Sequence, residues 1–169
     1  RVLSCAPAFG RVVAEMGLAM TLASCRGVVA AHEDFRKGSE LWLGQGERSG
    51  FDFTLHGESI GFIGFGSLAR NLMQLLQPFH CRVKAYDPWL PDSFLLEMGA
   101  EPATLEEVLS ESRIVYVMAV PTAENKGLID REKLAMMRKK ALLVLISRAH
   151  LVDFDALTEA VLQGDIQAA

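Results

Sequence analysis

Gly64, Gly66 and Ala69 form a Gly-x-Gly-x-x-Ala series between an apolar run at 60–63 and a helical pattern carrying Leu68, Leu72, Leu75 and Leu76. Each small residue has a physical task. The first permits a tight turn, the second lets backbone approach an anion with no side chain between, and the third lets the helix pack closely on the strand. The N–H groups of Ser67 and Leu68 fall at the helix start, where no helical carbonyl can reach them and the helix dipole favours negative charge. The chemistry this spacing suits is phosphate binding. A bare series of this kind also occurs in turns that hold no ligand, so its neighbours decide.

Asp87 is the deciding neighbour. It closes the next apolar run, 82–86, about 20 residues past the turn, where an acidic side chain can accept hydrogen bonds from ribose hydroxyls. By itself, an aspartate before Pro88 would be an ordinary turn residue. The same carboxylate would repel a 2′-phosphate, and no arginine follows it to compensate. The two features together imply a dinucleotide, NAD rather than NADP.

The elements that must position these residues follow from periodicity. Short runs at 60–63, 82–86, 114–118 and 142–146, that at 114–118 continuously apolar, read as buried strands. Amphipathic segments near 94–98, 105–109 and 130–138 read as helices, as does 153–162, where Asp153 is suited to capping. Strands apolar throughout, alternating with helices, give an α/β fold: a doubly wound parallel sheet of Rossmann type. Ahead of this core, 7–33 reads as one long helix, with apolar residues at spacings of three and four and Pro7 in its first turn. Residues 37–50, with the lone Trp42, read as a loop, and 51–55 as a short strand or edge. We therefore divide the chain into a connecting helix and loop, 1–50, and a Rossmann core, 51–169.

Composition excludes several other classes. The 169 residues are the size of one domain, and 50% hydrophobic with 22% charged residues is an ordinary globular profile. A net charge of −4 leaves no basic footprint for nucleic acid. Charged or polar residues interrupt every apolar run before the roughly 18 residues of a membrane span. The cysteines, Cys5, Cys25 and Cys81, are odd in number and scattered, which suits reduced thiols in a cytoplasmic protein rather than disulfides or a zinc site. The chain opens at Arg1 and closes at Ala169 with no helix stop or polar tail, so both ends are expected to be cuts in a longer protein.

A series of motifs in order resembles the D-isomer-specific 2-hydroxyacid dehydrogenases, a family including phosphoglycerate dehydrogenases and glyoxylate/hydroxypyruvate reductases. The matching residues are Val13-Ala14-Glu15, the stretch 61–70, Tyr86-Asp87-Pro88, Val120-Pro121, Lys126-Gly127-Leu128-Ile129, and Arg148 through Asp153-Phe154-Asp155-Ala156-Leu157. The resemblance spans nearly the whole chain. It implies the nucleotide domain of a two-domain oxidoreductase with most of the substrate domain missing, and a homodimer formed through nucleotide domains, the first helix joining the interface. It adds Pro121 and Ser147 to the cofactor-contacting residues. It makes Arg148 the active-site arginine that binds the carboxylate of a 2-hydroxy or 2-keto acid. A planar guanidinium suits that role, because it pairs bidentately and keeps its proton. The family's glutamate and histidine acid/base pair is expected beyond Ala169.

Departures from the family pattern gather near Arg148. Ala149-His150 follow it where glycines are usual, Leu145 and Ile146 replace polar residues, Ala119 stands where histidine is common, and the loop after Pro121 is one residue short. His150, in a glycine-like position, reads as a loop histidine; His32, His56 and His80 read as surface or turn residues, and the methionines as core filler. These departures keep open an alternative from another class, an NAD-sensing, corepressor-like binding protein without turnover.

Overall fold

The structure, a computed structural model, describes residues 6–39 and 52–169. Its centre is a six-stranded sheet in the order β3-β2-β1-β4-β5-β6. The strands are β1 (Ser59–Ile63), β2 (Arg82–Tyr86), β3 (Glu101–Pro102), β4 (Ile114–Val117), β5 (Leu142–Leu145) and β6 (Gln167–Ala168). Every pairing is parallel. This is the order of a doubly wound dinucleotide-binding sheet, whose direction of winding reverses between β1 and β4.

Side chains alternate across the pleat, so each strand feeds two cores. Ile60, Phe62, Ile114, Tyr116, Leu142 and Val144 face one layer, with α1 (Ala6–Cys25), α3 (Ser67–Leu76) and α4 (Asp92–Glu97). Ile63, Val115, Val117 and Leu143 face the other, with α5 (Leu105–Glu111), α6 (Arg131–Met136) and α7 (Phe154–Leu162). Each fully buried aliphatic or aromatic side chain contributes about 1.5–3 kcal/mol through water removed from its surface. A parallel sheet covered on both faces is therefore the arrangement that hides these runs.

Three helices are capped as their residue types require, α6 by Asp130, which accepts the Lys133 N–H at 2.9 Å. Thr104 and Glu107 form a reciprocal capping box at α5, and Asp153 accepts the Ala156 N–H at 3.0 Å to open α7. The first layer is pinned by a polar relay. Thr21, buried on α1, donates to the Gly17 carbonyl at 2.8 Å, which leaves its oxygen to accept from the Tyr116 hydroxyl at 2.5 Å.

Several expectations need correction. The helix read over 7–33 is two helices, α1 and α2 (Val28–Lys37), bent by 59° at a break that contains Gly27. Gly27 has φ +59, a left-handed conformation that ends a helix, yet apolar periodicity runs on across it. Of the segment 51–55, residues 52–55 are described and form no strand; Phe53 N–H donates to the Cys25 carbonyl and Leu55 is buried. The loop read over 37–50 begins one residue late, because Lys37 still belongs to α2, and most of it, with Trp42, lies outside the described residues. The short strands β3 and β6 have no counterpart in the sequence reading. A helix stop does exist near the last residues, since Gly164 N–H caps α7 through the Val161 carbonyl before β6. Met118 and Met137 fill core, whereas Met16, Met98 and Met136 are exposed.

Candidate functional site

At the carboxyl edge of the sheet, the connections after β1, β2, β4 and β5 meet. The turn after β1 is fixed first by backbone. Gly64 N–H donates to the Tyr86 carbonyl at 2.8 Å, and Met118 N–H donates to the Ile63 carbonyl at 2.8 Å, so the turn is tied to both neighbouring strands. Gly64 has φ +91, and a Cβ there would lie 2.6 Å from Ala119 Cα. Only glycine fits such a position. Gly66 differs: a Cβ on it would meet nothing within 4 Å. Its small size is not needed for packing among the described residues, and it leaves a bare stretch of main chain facing open space. Ala69, the third small residue, is fully buried between helix and sheet.

Gly66 is the N-cap of α3, and no side chain caps that end. The N–H groups of Ser67 and Leu68 open the helix beside the bared backbone, an arrangement able to hold a phosphate. Asp87 stands at the end of β2. Its Oδ2 accepts the Phe65 N–H at 2.8 Å, and its Oδ1 accepts the Trp89 N–H at 3.0 Å. A carboxylate has about four lone-pair sites, so each oxygen can still accept a hydroxyl. The glycine turn and the acidic residue are thus bonded to one another.

Beside them lies a cavity of about 410 Å³ bordered by Gly64, Tyr86, Trp89, Ala119, Glu124 and Leu128. The loop following β4 closes this side. Asn125 holds it with both ends of its amide, accepting from Thr122 N–H at 2.7 Å and donating to the Val120 carbonyl at 2.8 Å. Pro121 lies partly buried in the same loop. The Glu124 carboxyl is held below its ordinary range, first by its own backbone N–H and then by the Thr122 side chain.

The other wall comes from β5. The Ser147 hydroxyl donates to the Ala119 carbonyl at 2.6 Å, clasping the β5 connection to the end of β4. Arg148 follows, exposed, with no carboxylate within 4 Å among the described residues. His150 lies next to it in a short 3-10 turn, Ala149–Leu151, and is exposed. Arg148 does not border the 410 Å³ cavity, so the edge has two regions, one beside Asp87 and one beside Arg148. His32, His56 and His80 are exposed; the last two pack edge to face at 5.3 Å.

Trp89 and Glu124 were not picked out from the sequence. The one available signal was a tryptophan directly after Asp87-Pro88, and no spacing rule connects it with a glutamate on the β4 loop.

Comparison with known proteins places the chain. The family profile described as "D-isomer specific 2-hydroxyacid dehydrogenase, NAD binding domain" matches residues 18–169. D-3-phosphoglycerate dehydrogenase of Mycobacterium tuberculosis is 32% identical over 157 residues, covering 92% of this chain and 29% of the relative. Glyoxylate reductase of Pyrococcus furiosus is 34% identical over 161 residues, covering 92% of this chain and 47% of the relative. Among solved structures, a phosphoglycerate oxidoreductase from Rhizobium etli superposes with a TM-score of 0.88 at 42% identity, covering 99% of this chain and 52% of that one. D-Lactate dehydrogenase of Salmonella gives 0.81 at 27% identity, with 93% and 46% covered. The chain thus spans from under a third to about half the length of these relatives.

Proposed function

This chain belongs to the D-isomer specific 2-hydroxyacid dehydrogenases as an NAD-binding domain, and on that premise we propose that its parent enzyme moves a hydride between NAD(H) and a D-2-hydroxy acid or the matching 2-keto acid. In this reading Ser67 and Leu68 N–H groups receive the pyrophosphate, with Gly64 shaping the turn and Gly66 leaving it room. Asp87 accepts the adenosine ribose hydroxyls. Pro121 and Ser147 border the dinucleotide farther along, and Arg148 pairs with the substrate carboxylate. When bound, NAD supplies the hydride chemistry. The chain's own part is to bind and orient, and Arg148, with no partner carboxylate among the described residues, can take a substrate's in two parallel hydrogen bonds. The acid/base pair is assigned to parts of the parent outside residues 1–169, with the rest of the substrate domain. Within the chain, residues 1–50 serve as the connection and 51–169 as the core.

The observation that carries this reading is the bond from Phe65 N–H to Asp87, which draws the phosphate-type turn and the ribose-type acid into one crevice. Calorimetry of the chain with NAD and NADP tests it: NAD binding with little or no NADP binding is expected, and no heat with either overturns it. For the parent, oxidation of NADH with hydroxypyruvate, glyoxylate or phenylpyruvate is expected, and inertness toward every 2-keto acid defeats the enzymatic part. Nothing in the site favours the corepressor-like alternative, and the relatives above carry enzyme names.

We further infer a homodimer through the α1–α2 face. Phe9, Val12 and Met16 are exposed at helical spacing, and α2 buries none of its residues while exposing Val28, Val29 and Phe35. Among the described residues no single helix is long and apolar enough to cross a membrane, and Cys25 and Cys81 are free thiols. The thiols and the net charge of −4 support a cytoplasmic protein that engages neither nucleic acid nor membrane.

A further inference from the structure

We propose that His56 and His80 form a two-imidazole site for a tetrahedral dication such as zinc, at the edge of the sheet opposite the coenzyme crevice. Their ring centroids stand 5.3 Å apart with an interplanar angle of 62°. A zinc ion bound to an imidazole nitrogen at about 2.0–2.1 Å stands about 3.2 Å from the centre of that ring. Two rings sharing one ion at the tetrahedral angle of about 110° therefore have centroids about 5.2 Å apart. The spacing of this pair is already that of a shared ion. Both side chains are exposed, so each ring can turn a nitrogen toward the ion without disturbing the core.

Backbone holds the two histidines in place. Gly57 N–H donates to the Phe79 carbonyl at 2.8 Å, and Arg82 N–H donates to the Glu58 carbonyl at 3.0 Å. The Cys81 thiol donates to the Leu55 carbonyl at 3.2 Å, fastening the same two turns a third time. His80 has φ +53, a left-handed conformation uncommon outside glycine, and its N–H donates to the Gln77 carbonyl at 3.1 Å. Ligands fixed in this way lose little freedom when an ion arrives. Among the described residues no carboxylate lies within 4 Å of either ring, and no third histidine, cysteine or acid completes the set. Water fills the remaining positions, so the site is open and its affinity micromolar. β1 and β2 begin directly after these turns, at Ser59 and Arg82, and a shared ion clips their starts together.

The test is titration of the untagged, metal-free 169-residue chain with zinc chloride, followed by calorimetry and by NMR of the histidine rings. The chain has four histidines, His32, His56, His80 and His150. One equivalent of zinc is expected to bind and to shift the ring signals of His56 and His80 together, leaving those of His32 and His150 in place. Magnesium, which prefers oxygen ligands, is expected to shift none. His56→Gln and His80→Asn, the latter chosen because asparagine tolerates the left-handed backbone, are each expected to weaken zinc binding at least about tenfold. Both variants are expected to keep the metal-free thermal midpoint, as substitutions of exposed side chains do. Zinc is expected to raise the midpoint of the unaltered chain, since it binds the folded state. No binding, shifts confined to one of the two rings, or an affinity that survives both substitutions overturns the proposal. None of these outcomes bears on coenzyme binding, which rests on other residues.

Discussion

Oδ2 of Asp87 accepts the N–H of Phe65 at 2.8 Å, so the acid at the end of β2 is part of the turn after β1. Removing it does two things at once. Asp87→Ala is expected to weaken NAD binding by about tenfold and to narrow the preference over NADP. The same change strips a partner from the Phe65 N–H and costs about 1–3 kcal/mol of stability. Titration calorimetry reads the first effect and urea unfolding the second. An unchanged affinity would remove Asp87 from the site.

Gly64 and Gly66 are expected to fail in different ways. Gly64→Ala forces a side chain into the left-handed region and against the Ala119 backbone, so it lowers the unfolding free energy by at least about 1–2 kcal/mol. Gly66→Val points its side chain into open space and keeps the thermal midpoint, yet it nearly abolishes NAD binding. A Gly66→Val chain that still binds NAD normally would show that the pyrophosphate lies elsewhere.

Thr21 and Tyr116 supply an asymmetric pair. Tyr116→Phe leaves Thr21 still donating to Gly17 and costs about 1 kcal/mol. Thr21→Val strands the Tyr116 hydroxyl in the core and costs about 1–3 kcal/mol, with the double variant recovering part of that loss. Burial drives the Tyr116 pKa above the ordinary tyrosine value. The folded state therefore keeps the proton that the unfolded chain releases. The resulting stability is complete below about pH 10 and declines as pH rises beyond it. Denaturation across alkaline pH should show that decline, and Tyr116→Phe should remove it.

The α1 face gives a prediction about assembly. Val12→Glu with Met16→Glu places charge on an exposed apolar stripe without touching the buried residues Ala14, Gly17 and Thr21. Sedimentation should show a dimer for the unaltered chain and a monomer for the variant, with NAD affinity retained. A monomer in both cases would rule out this face as the subunit contact.

The apolar strands were legible because parallel pairing buries both faces, which leaves short runs such as Ile114-Val115-Tyr116-Val117 bounded by turn signals. The glycine turn and Asp87 were legible because their chemistry depends on short, fixed spacings. What escaped the sequence reading depends on partners far away in the chain. β3 and β6 are two residues each, held as strands by Ala85 and Leu143 across the sheet rather than by their own propensity. Gly27 interrupts a helix whose apolar repeat continues past it, so periodicity overrode a stop signal that was present. The Asp87–Phe65 bond and the joining of Trp89 and Glu124 around one cavity arise from strand order, which no local pattern records.

Strand order has one more consequence. Almost every residue named at the crevice sits in a connection rather than within a strand, while the strands hold the two cores. A protein engineer could rewrite coenzyme preference or reach toward a new acid by exchanging these linkers, keeping the hydrophobic chassis beneath them untouched.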